Sequence, residues 1–221
     1  EYAGSLGRAD TRQIQATAYA TLRGSRGGFL GGYVGYGWLD VESERNVVLG
    51  GTTLRAEGET DGTVLSAGFE VGDEINTRQG IAIIPSFGLN AYKVSLDGYD
   101  ETGSAVAMSI GDVDYDSLQG FMGVRFEGEV RTRDWSIRPA LGLRAVTAIS
   151  GDSDGVSAGF VAGSGPFADF AGPTRDKGWG EVSGSVVIAG PRADLTLQAA
   201  SVFERDDLDY QTYRATVSMK F

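Results

Sequence analysis

Residues 211–221 read Gln-Thr-Tyr-Arg-Ala-Thr-Val-Ser-Met-Lys-Phe, and the alternation in this stretch decides how the rest of the chain is read. Tyr213, Ala215, Val217, Met219 and Phe221 fall on one side of a period-two pattern, and Arg214, Thr216, Ser218 and Lys220 fall on the other. That is the spacing of a β-strand, whose successive side chains point to opposite faces. One face is apolar and the other carries the charge. A soluble sheet shows the same alternation, but a terminal strand frays unless something holds it, and here the strand runs to its last residue, an aromatic one.

A final strand that closes on Phe resembles the assembly signal of bacterial outer-membrane β-barrels. The resemblance implies that Tyr213, Ala215, Val217, Met219 and Phe221 meet lipid and that the polar face meets the lumen. Composition agrees with a wall of this kind. The chain of 221 residues suits one all-β domain, and its 34 glycines against 5 prolines suit close packing on a curved sheet more than a disordered linker. Hydrophobic content of 41% and a mean hydropathy of −0.13 look soluble. A membrane barrel exposes only alternate residues to lipid, however, so its average hydropathy stays near that of a soluble protein. No run reaches the roughly 18 apolar residues of a spanning helix, so any crossing is made by strands.

Working back along the chain, the same period recurs. Ile14, Ala16, Ala18, Ala20 and Leu22 alternate with Gln13, Gln15, Thr17, Tyr19 and Thr21; residues 1–10 read as a loop. Phe29, Tyr33, Tyr36 and Trp38 lie among glycines, with faces left open. Residues 42–61 read as a long polar connection, followed by a strand with Leu65, Ala67, Phe69 and Val71 on one face. Ile83, Pro85, Phe87, Leu89 and Ala91 then oppose Ser86, Gly88, Asn90 and Tyr92, with Pro85 placed near the strand's start, where it is tolerated. After an acidic connection over 97–116, Leu118, Met122, Val124 and Phe126 oppose Gln119, Arg125 and Glu127. Trp135, Ile137, Leu141, Leu143 and Ala145 oppose Ser136, Arg138, Gly142 and Arg144. A third connection, 149–177, leads to Val182, Val186 and Ile188 against Glu181, Ser183 and Ser185, and then to Leu195, Leu197, Ala199 and Phe203 against Asp194, Thr196, Gln198 and Glu204.

With the terminal strand this makes nine. Connections alternate short and long, as in outer-membrane barrels, where short turns face the periplasm and long loops face outward. With Phe221 at the periplasmic end, the strand at residue 11 starts from outside, so an odd number of strands is expected before it. The inward charges Arg125, Glu127, Arg138, Arg144, Glu181, Asp194, Arg214 and Lys220 need water or carboxylate partners, since a dry core charges several kcal/mol for each. They suit either a pore lining or a network that braces the barrel.

Several function classes are excluded. Without cysteine or histidine there is no disulfide framework, thiol or Ser-His-Asp catalysis, Cys zinc site or His-ligated metal site, and no cofactor is expected. A net charge of −11 opposes nucleic-acid binding. Two G-x-S-x-G matches, Gly151 to Gly155 and Gly155 to Gly159, read as a Gly/Ser-rich loop, because neither follows a buried strand and opens a helix and no His serves as base. Asp112, Asp114 and Asp116 begin like a calcium loop, but Ser117 stands where its Gly belongs and Gly123 where its Glu belongs. A solvated strand rim is expected there.

Several stretches together resemble the C-terminal β-domain of autotransporters, specifically those with a GDSL-type esterase passenger. They are Gly35-Tyr36-Gly37 with Asp40, Gly58 to Gly62, Val94 to Tyr99, Gly111-Asp112 to Asp116-Ser117-Leu118, Arg175-Asp176 to Trp179-Gly180, and the terminal Phe. The resemblance implies an all-β, antiparallel up-and-down transmembrane barrel of about twelve strands in the bacterial outer membrane. A helix through the lumen would lead to the secreted passenger, with lipid, passenger, lumen helix and the barrel-assembly machinery as partners. Residues 1–221, starting at Glu1 without a Met, are then expected to be a partial β-domain lacking passenger, helix and first three strands, an anchor and conduit without chemistry of its own. A small-solute channel or structural outer-membrane barrel is the alternative, and upstream sequence separates the two.

Overall fold

The computed structural model describes residues 7–151, 155–163, 167–172, 176–205 and 210–219. Nine long strands form the wall: β1 (Gly7–Arg23), β2 (Gly28–Leu49), β3 (Thr52–Asp73), β4 (Ile81–Leu96), β5 (Val113–Gly128), β6 (Ser136–Ser150), β7 (Gly178–Ala189), β8 (Ala193–Phe203) and β9 (Gln211–Met219). Each pairs antiparallel with its neighbour in sequence, so the sheet is an uninterrupted meander. It is curled into an open half-barrel, with no helix among the described residues. Among the described residues β1 pairs only with β2 and β9 only with β8, which leaves one free edge on each.

Register carries the alternation of each strand onto the next. On the outer face Ile14 stands opposite Trp38, Phe87 opposite Met122, Leu143 opposite both Val124 and Val182, and Leu195 opposite Val217. This face stays open: Phe87 is 61% exposed and Met122 68%. A sandwich buries such a face against a second sheet, whereas here nothing among the described residues covers it. The faces left open on β2 are also settled. Phe29 and Tyr33 share the inner face with Gly72 and Gly68, while Tyr36 and Trp38 point outward with rings 5.1 Å apart and nearly perpendicular.

The pairing line Thr212, Ala200, Ser183, Gly142, Arg125, Ile84 starts at the upper end of β9 and finishes near the lower end of β4. The strands therefore slip by about one residue per neighbour, which with a rise of about 3.3 Å and a spacing of about 4.8 Å is a tilt of roughly 30–40°. Pro85 sits where the β3 ladder, ending at Gly72 opposite Ser86, gives way to the short strand Ile75–Asn76. The interruption is what makes a residue without an N–H tolerable inside a central strand.

Three expectations are corrected. Residues 7–10, read as loop, belong to β1. Residues 42–61, read as a connection, are the upper halves of β2 and β3, joined at Gly50-Gly51 with φ of 55° and 86°. Both positive values are those of the tight hairpin turn that suits the strand twist. The apolar alternation is lost there because both faces have left the apolar belt, so Glu42 can lie opposite Glu59 and Glu44 opposite Glu57, with Arg55 2.9 Å from Glu44 and 2.7 Å from Glu57. Finally, the connections 97–112 and 151–177 build a second sheet in the order Ala168–Phe170, Val156–Phe160, Met108–Ile110, Tyr99–Asp100.

The aspartate series ends in β5 as a strand rim, where Ser95 Oγ donates to Asp114. Ser157 of the second G-x-S-x-G match lies in a strand, and most of the first match is outside the described residues.

Candidate functional site

The inner face is the candidate site, because it is where charged side chains are held within a wall. Arg144 and Glu181, expected there from alternation, are direct cross-strand partners on β6 and β7, with Nη1 3.7 Å from Oε2 and each side chain about one-third exposed. The Arg144 guanidinium carbon lies 3.4 Å from the centre of the Phe121 ring. Trp179 Nε1 donates to the other Glu181 oxygen at 3.1 Å, and Arg205 lies over the Trp179 ring at 4.4 Å.

A second arm of the network comes from β2 and β4. Oriented by its partners, the Asn90 amide donates to the Tyr33 hydroxyl at 3.1 Å and accepts from Arg144 Nη2 at 3.2 Å. Tyr33 then donates to the Tyr92 hydroxyl at 3.3 Å. Residues from β2, β4, β5, β6 and β7 are thereby tied into one cluster. Beneath it Phe121, Val146 and Trp179 are buried together with Val202 against them, although they occupy inner positions. The inner face is therefore not polar throughout. The ring face attracts the guanidinium that lies over it, which suits the aromatic floor under Arg144.

The other expected inner charges are dispersed. Arg125 pairs with Glu127 at 2.8 Å along β5. Arg138 stands opposite Val187, Asp194 opposite Ala189 and Ser218, and Arg214 opposite Gln198. Lys220 and Phe221 lie outside the described residues. Of the terminal pattern, Tyr213, Ala215, Val217 and Met219 face outward against Ala199, Leu197, Leu195 and Ala193, with Tyr213 77% exposed. Tyr33, Asn90, Tyr92, Phe121 and Trp179 were not singled out as site residues from sequence. An aromatic residue on the polar parity of a strand was the available signal.

No group of three or more ligating side chains placed to hold a metal occurs among the described residues. Between Gly123, Gly142 and Ser183 the wall is lined by small groups, leaving a groove beside Arg125, Arg144 and Glu181.

Three comparisons bear on this wall. A family model described as the autotransporter beta-domain matches residues 1–200. Among solved structures, the translocator domain of the autotransporter NalP from Neisseria meningitidis superposes with a TM-score of 0.71 at 17% identity, over 98% of this chain and 68% of that one. No curated protein matches the chain.

Proposed function

The chain belongs to the autotransporter β-domain family, outer-membrane translocators that take part in exporting a passenger to the cell surface, and from that premise we propose that residues 1–221 are the larger part of the barrel wall. The observation that carries this is the continuous two-faced meander, apolar outside across nine strands and braced inside by the Arg144 cluster. Lipid meets the outer face. The lumen holds a helix leading to the passenger, and the Tyr213 to Phe221 strand is read by the barrel-assembly machinery.

The two free edges support a partial domain. β1 and β9 are both odd members of an antiparallel series, so they run in the same direction and cannot close on each other in an antiparallel ladder. An odd number of further strands is needed, and three give the family's twelve. Stretches such as Val94 to Tyr99 favour a GDSL-type esterase as passenger. The wall carries neither a Cys thiol nor a His imidazole to activate a nucleophile, which supports an anchor and conduit without chemistry of its own.

The test is export by the whole protein. Expression of the full-length gene product with an epitope in the passenger should place this domain in the outer-membrane fraction and the epitope within reach of external protease. Removing 211–221 should abolish both. A full-length protein that enters the outer membrane with no surface-exposed passenger would instead support a channel or structural barrel.

A further inference from the structure

Where the β2–β3 hairpin rises beyond the apolar belt, its inner face is covered. Ala56 is completely buried, and Thr60 and Ala107 nearly so, which few residues of this open wall are. The cover is the connection 97–112. The Tyr99 ring packs against the backbone of Gly58, at the place a side chain there would occupy, and its hydroxyl is 3.4 Å from Ser43 Oγ. Glu57 and Thr102 exchange both backbone hydrogen bonds, at 3.0 and 2.8 Å. One residue away, Glu101 reaches Arg45, the direct partner of Ala56 on β2, in a two-pronged ion pair whose Nε–Oε1 distance is 3.1 Å. The Glu101 side chain is only 4% exposed, and it also accepts from the Met108 amide at 2.9 Å. Arg45 donates again to the Val106 carbonyl at 2.9 Å.

From this grip the second sheet leads away. Met108–Ile110 pairs with Val156–Phe160, Gly111 N donates to Ser157 O, and Val161 N donates to Ala107 O. The small sheet thus joins the hairpin of β2 and β3 to the β6–β7 connection, four wall strands further on. Through the Glu57–Thr102 pairing the small sheet starts beside the upper edge of β3, above the end of the β4 ladder at Gly62–Leu96. Its covalent attachments are all on β4 to β7, and the hairpin holds it by side-chain and backbone contacts alone.

We propose that the second sheet is a lid over the inner face of the β2–β3 hairpin at the outer rim, hinged on the β4 to β7 side and latched to the hairpin by the Arg45–Glu101 pair above Ala56. The small Ala56 side chain leaves room for the pair, and the pair shields it from water. The Glu101 side chain is buried and Arg45 about one-third exposed, so removing Arg45 strands a buried carboxylate and removing Glu101 takes away the two-pronged partner of Arg45; loss of either releases the latch. This rests on the functional reading only for which compartment the rim faces.

Residues 1–221 contain no cysteine, so an introduced one is the only thiol of this domain, and any cysteine elsewhere in the full-length protein is first replaced by serine. Full-length protein carrying Ala56→Cys, assembled in outer membranes, is treated with a small membrane-impermeant thiol reagent, with Val48→Cys, exposed at 59%, as the open reference. Ala56→Cys should label at least about tenfold more slowly than Val48→Cys, and adding Glu101→Gln or Arg45→Gln should remove most of that difference while leaving Val48→Cys unchanged. Thr60→Cys serves as a second reporter should Ala56→Cys fail to fold. Labelling as fast as the reference with the latch intact, or equal protection with it removed, overturns the lid. A protein absent from the outer-membrane fraction counts against the functional reading instead, and the labelling is then run on the purified full-length chain in detergent.

Discussion

Arg144 of β6 stands directly across from Glu181 of β7, 3.7 Å away, and rests on the Phe121 ring of β5 at 3.4 Å, so one guanidinium couples three strands. Both charged side chains are about one-third exposed. The ion pair is therefore screened and contributes on the order of 1 kcal/mol at most, with the ring contact adding about 0.5–1 kcal/mol. Glu181→Gln and Phe121→Leu should each lower unfolding stability by about those amounts. Urea unfolding of full-length protein in lipid, run as a double-mutant cycle, should show the two losses coupled through Arg144. Strict additivity would falsify a shared network.

Leu143 and Gly142 are neighbours in sequence and face opposite media. Leu143 sits between Val124 and Val182 on the outer face, whereas a side chain at Gly142 would meet Ser183 Oγ on the inner one. Leu143→Arg should cost about 2–4 kcal/mol near the lipid midplane. Gly142→Arg should instead be limited by crowding against Ser183, and Ser183→Gly should restore part of the loss. Equal costs at the two sites, with no rescue, refute the assignment of faces.

The latch should loosen in acid. Burial pushes the Glu101 carboxyl up, but the Arg45 hydrogen bond, the Met108 amide and the Arg45 charge outweigh it, and the carboxyl lies below its ordinary value of 4.5. Arg45 is raised, chiefly by Glu101, and stays charged. Tyr99 also faces the pair. A carboxyl depressed on folding contributes stability that is fully present above the unfolded value and drains away as pH falls through the folded one. Hydrogen exchange at Thr102 and Met108, corrected for intrinsic rate, should lose protection below about pH 4. In Glu101→Gln, protection should be low already and flat with pH; a wild-type profile in that variant would contradict the assignment.

How much of this was legible follows from where water lies. Where the inner positions are polar or small they contrast with their outer neighbours, so Ile14 to Leu22, Leu141 to Ala145 and Tyr213 to Met219 declared their faces by period alone, whereas the inner Phe121, Val146 and Trp179 break the pattern. Above the belt both faces are wet, and Glu42 to Asp61 carries no contrast although it is strand on both sides of the Gly50-Gly51 turn. The Arg144–Glu181 pair was half legible: alternation put both on the inner face, but adjacency depends on the register between β6 and β7. Glu101 was beyond reach, since its partner is 56 residues away and only the folding of 97–112 onto the hairpin brings the two together.

The terminal strand makes the sharpest demand. β9 pairs with β8 from Ser201–Gln211 to Ala193–Met219 and presents its other edge unpaired. In a bilayer each unpaired backbone group on that edge costs several kcal/mol, so an open edge at Tyr213 to Met219 cannot persist in lipid. β1 has the same exposure along its own free side, and the shared direction of β1 and β9 forbids an antiparallel closure between them. The expected closure is by added strands between them, the first pairing with β9 and the last with β1. In the full-length protein in detergent, all amides from Tyr213 to Met219 should exchange slowly, including the alternate set that β8 does not engage. The same protection should reach alternate amides of β1 between Ile14 and Leu22. Fast exchange at every second residue of either strand would show that the edge stays open and that the barrel is not closed by further strands.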